Sequence, residues 1–168
     1  MQIKALVLDW GDTVMRDYPD EAGAMVTWAK VEAIPGADVA LGHFSKYFYC
    51  FLASNAGDSN SVLMGKALER VGIRQYFHHL FTSKELGASK PSPEFFRGVV
   101  RELELQPCEC VMIGNDYYKD IVGAKNVGMR TIWFCESKVV QSKNTSADTV
   151  ITDMKELIQA VSALNENQ

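Results

Sequence analysis

Six short runs of consecutive apolar residues are spread along the chain and predict the strands of a β-sheet. Apolar residues that follow one another, rather than alternating with polar ones, are typical of strands that are buried on both faces. The pattern therefore indicates a mostly parallel sheet that helices cover on both sides. The six runs cover residues 3–9, 47–54, 79–83, 110–115, 130–135 and 149–152.

Stretches with a helical spacing of apolar residues lie between these runs. One of them begins at Ser92, with Pro93 in its first turn, and another ends at Gly72, and these are typical start and stop residues of helices. The alternation of strands and helices is typical of a doubly wound, Rossmann-like α/β fold, and we expect one such domain over residues 1–168. The predicted helices cover residues 58–72, 92–103, 116–128 and 153–164, and one or two more, such as 21–33, fit before the second strand.

The composition argues against several classes of protein. Of the 168 residues, 47% are hydrophobic and 23% are charged, as in globular proteins, and the formal net charge is −4. A nucleic-acid-binding surface needs clustered Lys and Arg, which this chain lacks. No apolar run approaches the ~20 residues of a membrane span, and the N-terminal residues lack the features of a secretory signal. We therefore expect neither nucleic-acid nor membrane partners.

Four cysteines favour a reducing compartment. Cys50, Cys110 and Cys135 lie in or beside apolar runs and are interpreted as buried thiols. Cys108 and Cys110 are close in sequence, but no second pair of Cys or His stands at a spacing typical of zinc sites. We therefore expect a cytoplasmic protein.

Polar side chains follow four of the predicted strands, at the point where each strand ends. Because the carboxyl ends of parallel strands meet at one edge of a sheet, we expect these side chains to lie close together. Carboxylates, a hydroxyl, amides and a lysine suit a hard, oxygen-liganded cation together with an anion. Magnesium with a phosphoryl group is the simplest occupant. The residues are Asp9, Ser54, Asn55, Lys90, Asn115 and Asp116.

In this order, the segments resemble the four motifs of the haloacid dehalogenase-like (HAD) hydrolase superfamily, from residue 3 to about residue 151. The resemblance implies an α/β fold, a Mg²⁺ cofactor and a phosphatase-type hydrolase that acts on a phosphorylated small molecule or macromolecule. The motifs are Asp9-Trp10-Gly11-Asp12-Thr13, then Ser54-Asn55, then Lys90 in SKPSPEFF, and Gly114-Asn115-Asp116 with Asp120.

The resemblance also implies roles for the residues of the first three motifs. Asp9 would be the nucleophile that forms an aspartyl-phosphate, which divides one difficult displacement into two easier steps. Ser54 and the neighbouring Asn55 amide would hold a phosphoryl oxygen, although Ser54 could instead cap the helix that follows. Lys90 would bind the phosphoryl group and neutralise the charge of the Asp9 adduct.

The fourth motif would complete the magnesium site around Asp9 and the backbone carbonyl of Gly11. The acid that binds the metal in the family stands four or five residues before the position of Asp120, where this chain has Asp116 and Asn115. We expect Asp116 to be the direct ligand, Asn115 to donate or ligate through its amide, and Asp120 to support the ligands from behind. A helix N-cap is the alternative role for Asp116.

The first motif departs from the family at Gly11, where the typical phosphatase has a second aspartate that transfers protons. A positioned acid or base contributes about 10²–10⁴-fold to the rate, so we expect slow hydrolysis of alkyl phosphates and better turnover of aryl or acyl phosphates. Asp12 would fill the role if the backbone after Asp9 is rearranged; otherwise Asp12 is exposed in the turn or bonded to nearby backbone.

The interval between Thr13 and the second strand leaves room for no cap domain, or only a minimal one. A capless site must be desolvated by its substrate or by another subunit, which makes a homo-oligomer one of the expected partners. Two alternative functions stay open: a phosphate- and metal-binding regulatory or interaction module with little turnover, and a phosphonatase- or dehalogenase-like hydrolase. No lysine matches the one that forms a Schiff base in phosphonatases.

Overall fold

One parallel six-stranded sheet forms the centre of the computed structural model, which describes residues 2–136 and 145–166. The strand order is β3-β2-β1-β4-β5-β6, and all neighbouring strands are parallel. All six predicted strands and the doubly wound fold are confirmed. The strands are β1 (Ala5–Leu8), β2 (Tyr49–Ser54), β3 (His79–Thr82), β4 (Cys110–Gly114), β5 (Arg130–Phe134) and β6 (Thr149–Ile151).

Helices connect the strands on both faces of this sheet. The four predicted helices are confirmed, although the third begins as a π-helical turn, Tyr117–Val122, and the fourth follows a 3-10 turn, Met154–Glu156. The structure adds a helix before β2 and a short one after β3 that the sequence analysis did not locate. The helices are α1 (Ala37–Phe44), α2 (Ser61–Arg70), α3 (Ser83–Leu86), α4 (Pro93–Glu102), α5 (Gly123–Lys125) and α6 (Leu157–Glu166).

The side chains of β1 alternate between two cores, which explains why every residue of this central strand is apolar. Leu6 and Leu8 face a core that α1, α2 and α6 cover. Ala5 and Val7 face the opposite core, which α4 and α5 cover. A strand that is buried on both faces needs apolar residues at every position, so helices lie on both faces as predicted.

The predicted helix over residues 21–33 is wrong. This part of the chain contains a single 3-10 turn, Met25–Thr27, and otherwise runs without helix. Three of its carbonyl groups accept hydrogen bonds from outside the segment instead of from a helix. The Arg70 guanidinium on α2 donates to the carbonyl oxygens of Val26, Trp28 and Ala29. We call residues 16–33 the strap, since they cross the carboxyl edge of the sheet.

Backbone pairing ties both ends of the strap to the chain that follows β1. Met15 forms an antiparallel bridge with Ala33, and the Arg16 N–H donates to the Glu32 carbonyl at 2.8 Å. The strap then leads into α1, whose N-cap Gly36 has a left-handed φ of 87°. Among the described residues, no helix is long and apolar enough to cross a bilayer.

Candidate active site

A cleft of about 460 Å³ opens at the carboxyl edge of β1, β2 and β4, with part of the strap beside it. Strap residues Asp17, Glu21, Met25 and Trp28 contribute to its wall. The cleft brings together every residue that the sequence analysis singled out for chemistry: Asp9, Gly11, Asp12, Ser54, Asn55, Lys90, Asn115, Asp116 and Asp120. The expectation that these scattered side chains meet at one edge of the sheet therefore agrees with the structure.

Three charged side chains form the floor of the cleft, and we call Asp9, Lys90 and Asp120 the ion triad. Lys90 Nζ donates to Asp9 Oδ1 at 2.5 Å, to Asp120 Oδ1 at 2.7 Å and to the Ala53 carbonyl at 3.0 Å. The Lys90 side chain is only 2% exposed, whereas the Asp9 side chain is 13% exposed toward the cleft. Lysine thus neutralises Asp9 from behind and leaves part of this carboxylate facing the cleft.

Burial and charge act against each other within the ion triad. Burial lowers the pKa of the Lys90 ammonium, but the charges of Asp9 and Asp120 outweigh burial, and the pKa is raised above its usual value. Burial also raises the pKa of the Asp120 carboxyl to about 7, with help from the Asp9 charge and against the opposing effect of Lys90. Lys90 therefore stays charged at neutral pH, and Asp120 holds a proton more readily than an aspartate in water does.

Asn55 positions Lys90 through the backbone. Its side-chain Nδ2 donates to the Lys90 carbonyl at 2.9 Å, and its Oδ1 accepts the Lys90 N–H at 2.8 Å. Both polar atoms of the Asn55 side chain are thereby engaged by the Lys90 backbone. Ser54 lies beside it, and its Oγ accepts the Ala56 N–H at 3.2 Å. The helix cap that was the alternative role for Ser54 is supplied by Asn60 instead.

A buried hydroxyl that the sequence analysis left without a role joins the first and fourth motifs. Thr13 Oγ1 lies 3.3 Å from Asp9 Oδ2 and 3.2 Å from Asn115 Oδ1, and it accepts the Asn115 N–H at 3.1 Å. The Asn115 carbonyl in turn accepts the Trp133 indole N–H at 2.9 Å. These contacts hold the Asn115 amide on the same side as Asp9. The position of Thr13 in the first motif was the available signal.

Asp116 takes the helix-capping role. Its Oδ1 accepts the Lys119 N–H at 2.8 Å, and its Oδ2 lies 3.3 Å from Lys119 Nζ. Burial raises the pKa of the Asp116 carboxyl, but the bonds and charge from Lys119 outweigh burial, and the pKa lies below its usual value. Asp120 Oδ2 accepts the Asp116 N–H at 3.0 Å, so the side chain of Asp120 is bonded to the backbone of Asp116.

Asp12 bonds to nearby backbone, which is the second of the two roles expected for it. It adopts a left-handed backbone conformation with φ 53°. Its Oδ1 accepts the Asp17 N–H at 3.1 Å and lies 3.5 Å from Arg16 Nη1. Asp12 therefore shapes the turn that begins the strap.

The oxygen donors around Asp9 fit a magnesium ion that has few carboxylate ligands. No group of three or more His, Cys, Asp or Glu side chains suited to a metal occurs in the described part of the chain. The reason is that Lys90 separates Asp9 from Asp120, and that the neighbour on the other side is the Asn115 amide. One carboxylate, one amide oxygen and a backbone carbonyl are acceptable to Mg²⁺, which commonly keeps several waters.

A family model described as haloacid dehalogenase-like hydrolase matches residues 3–128. The glyceraldehyde 3-phosphate phosphatase of Pyrococcus furiosus is 31% identical over 135 residues, which are 79% of this chain and 55% of the relative. The chain thus spans about half the length of that relative.

Solved structures share the fold over nearly the whole chain. A protein from Listeria monocytogenes serotype 4b superposes with a TM-score of 0.81 at 22% identity, covering 96% of this chain and 98% of that one. Bacillus subtilis YfnB, in a magnesium-bound form, superposes with a TM-score of 0.78 at 15% identity, covering 96% and 99%. At these identities the likeness concerns the fold.

Proposed function

The chain belongs to the haloacid dehalogenase-like hydrolase family, and from this premise we propose that it is a magnesium-dependent phosphatase in which Asp9 is the nucleophile. The observation that carries the proposal is the ion triad. Lys90 Nζ donates to Asp9 Oδ1 at 2.5 Å from the buried side, which pairs the carboxylate with a positive charge and orients it while it remains open to the cleft. An ionised, oriented carboxylate at the end of a central strand is what attack on phosphorus requires.

The reaction has two displacement steps. In the first, an Asp9 oxygen bonds to phosphorus while the ester P–O bond breaks, and the departing oxygen takes up a proton. In the second, water gives up a proton and attacks the phosphorus of the aspartyl-phosphate, which releases inorganic phosphate and restores Asp9. Ser54 Oγ and the Asn55 N–H orient the phosphoryl group, and Lys90 stabilises the charge that develops beside Asp9.

The magnesium ion would be held by the Asp9 carboxylate, the Gly11 carbonyl and the Asn115 amide oxygen. When bound, it would screen the repulsion between Asp9 and the incoming phosphate. We place Asn115 before Asp116 in this set, because Thr13 holds the Asn115 amide beside Asp9, whereas one oxygen of Asp116 caps the following helix. Asp120 supports the site through Lys90 and through the Asp116 N–H.

The substrate in this proposal is a phosphorylated small molecule, as the name of the Pyrococcus furiosus relative suggests. The strap and the loop after β2 border the cleft. A phosphorylated macromolecule, or a second subunit that covers the rest of the cleft, belongs to the same proposal. Cys50 and Cys110 are buried thiols that form no disulfide, which fits a cytoplasmic location.

Phosphonatase-like chemistry is disfavoured by the charge state of the lysine in the floor. Schiff-base formation needs a neutral amine at the reacting carbon. The pKa of Lys90 is raised and its Nζ is bonded to two carboxylates and a carbonyl, so this amine is not available. Metal-free dehalogenation remains distinguishable by its independence of magnesium.

The proposal is tested by comparing the wild-type protein with Asp9→Asn on a panel of alkyl, aryl and acyl phosphates, with magnesium and with a chelator. We expect magnesium-dependent release of phosphate that falls by at least about 10³-fold in Asp9→Asn. Asp38→Asn, at an exposed acid on α1, is the matched control and keeps full activity. Phosphate binding without turnover in the wild type would indicate the regulatory module, and activity that survives chelation or Asp9→Asn would contradict the proposal.

A further inference from the structure

Release of an alkyl leaving group from phosphorus needs a proton donor in the cleft, and most of the carboxyl groups there are already engaged. Asp9 and Asp120 are bonded to Lys90. Asp116 caps a helix and pairs with Lys119, and Asp12 accepts the N–H of a strap residue. A donor must therefore be sought among the other acids that line the cleft.

Asp17, in the first turn of the strap, has the required position. A Cβ atom on Gly11 would lie 3.4 Å from Asp17 Oδ2 and 3.6 Å from Asp17 Cγ. The carboxyl group of Asp17 thus lies in van der Waals contact with the position that a side chain at residue 11, two residues after the nucleophile, would take. It also lines the same cleft as Asp9 and is exposed to solvent, so it can exchange protons with water.

The backbone after β1 brings Asp17 back to Gly11. Gly11 forms a bridge with Met15, and the Asp12 N–H donates to the Met15 carbonyl at 2.7 Å. Asp12, with its left-handed φ of 53°, then accepts the Asp17 N–H on its own carboxylate at 3.1 Å. Within the described residues the Asp17 carboxylate itself has no hydrogen bond or ion pair, so both its oxygens are open to a substrate.

We propose that Asp17 is the general acid and base of the phosphatase reaction, and that Asp12 is the residue that positions it. In the first step the protonated Asp17 carboxyl gives its proton to the leaving oxygen as the ester P–O bond breaks. In the second step the Asp17 carboxylate takes a proton from the water that attacks the phosphorus, and the Asp9–phosphorus bond breaks. Asp17 ends the cycle protonated, as it began.

This inference rests on the proposed function and reverses one expectation from the sequence. With Gly11 alone in view, slow hydrolysis of alkyl phosphates was expected. With Asp17 beside that position, we expect the wild-type protein to hydrolyse alkyl and aryl phosphates with comparable efficiency.

Asp17→Asn separates the two steps, because aryl leaving groups depart without a proton. We expect hydrolysis of alkyl phosphates to fall by about 10²–10⁴-fold. With 4-nitrophenyl phosphate we expect a burst of one equivalent of nitrophenolate, followed by slow turnover, because the aspartyl-phosphate waits for a base. The burst, and the trapped acyl phosphate measured by mass spectrometry, would not arise from a purely structural role. Asp20→Asn, at an exposed acid of the same strap outside the cleft, is the matched control without a burst.

A second pair of variants tests whether a carboxyl group at residue 11 can replace the one at residue 17. Gly11 has no positive φ, so its backbone accepts a side chain. We expect Asp17→Gly to lose hydrolysis of alkyl phosphates. Adding Gly11→Asp to the Asp17→Gly protein should raise the rate of alkyl phosphate hydrolysis at least about 10-fold, because residue 11 then supplies the carboxyl group. Full activity of Asp17→Asn, or an equal loss on both substrates with neither burst nor restoration, overturns the role of Asp17 while Asp9 dependence stands. If Asp9→Asn hydrolyses the phosphates as fast as the wild type does, the role of Asp17 and the proposed function are overturned together.

Discussion

The ion triad and the strap both border the cleft, but different forces hold them. The triad joins three distant parts of the chain through side chains, and Lys90 within it is 2% exposed. The strap is largely exposed and depends on backbone bridges at its ends, together with Arg70 contacts in its middle. We infer that the nucleophile and the charges that hold it are built into the floor, whereas the strap, which carries Asp17 at its beginning, can adjust to the substrate in its middle at small cost to the fold.

Lys90→Met gives the largest expected effect, because it removes the positive charge between the buried carboxylate of Asp120 and the part-buried carboxylate of Asp9. Breaking a buried pair in this way destabilises a protein by about 3–5 kcal/mol, and we expect hydrolysis to be abolished. Urea denaturation followed by circular dichroism measures the free energy of unfolding. Lys66→Met, at an exposed lysine of α2, is the control. Equal stability of the two variants would remove the distinction between floor and strap.

The pH dependence of stability sharpens the same contrast. The pKa of Asp120 rises from 3.8 to about 7 on folding, so the folded protein binds this proton more tightly than the unfolded chain does. Its contribution is therefore present at low pH and is lost as the pH rises from about 4 to about 7. We expect the free energy of unfolding, measured with a chelator present, to fall over this range more in the wild type than in Asp120→Asn. A parallel pH profile in the two proteins would show that Asp120 does not titrate as inferred.

Arg70→Lys acts on the strap instead. Arg70 Nη1 donates to the Trp28 carbonyl at 2.6 Å and Nη2 donates to the Ala29 carbonyl at 3.3 Å, and a lysine, which has one nitrogen, cannot reproduce this two-nitrogen geometry. Because Arg70 is exposed, we expect a cost of only about 1 kcal/mol. Limited proteolysis should cut the strap several-fold faster, while the urea midpoint of the whole chain moves little. A shift of the midpoint without faster cleavage would mean that the strap opens only with the core.

Tyr18→Phe is the smallest expected change. It removes the hydrogen bond from the Tyr18 hydroxyl to Glu32, both at the surface of the strap. We expect a change in the free energy of unfolding of at most about 0.5 kcal/mol, with kcat unchanged. A loss of activity as large as that of Lys90→Met would place the strap among the parts that hold the nucleophile.

The same contrast explains what could be predicted from the sequence. The six strands and the residues of the floor were accessible, because buried parallel strands need continuous apolar runs and the polar residues at their ends meet at one edge. Asp9 directly follows β1, whereas Lys90 and Asp120 were located by their places in the third and fourth motifs.

The strap escaped prediction because its conformation depends on long-range contacts. Residues 21–33 have a composition compatible with a helix, but Arg70, some 40 residues later, takes up the carbonyls. Asp17 carries no sequence signal either, since its approach to Gly11 depends on the bridge between Gly11 and Met15. The sequence analysis also missed α1, although Ala37, Ala40, Leu41 and Phe44 have the helical spacing that would have indicated it.

The order of the strands has a practical consequence. β1, β2 and β3 form one half of the sheet and β4, β5 and β6 the other, and the chain passes from one half to the other between α4 and β4. Asp9 and Lys90 belong to the first half, whereas Asn115 and Asp120 belong to the second. If the polypeptide were bisected in the turn around Glu104, neither fragment would carry a complete catalytic set. Recovered hydrolysis would then report that two fusion partners had brought the fragments together.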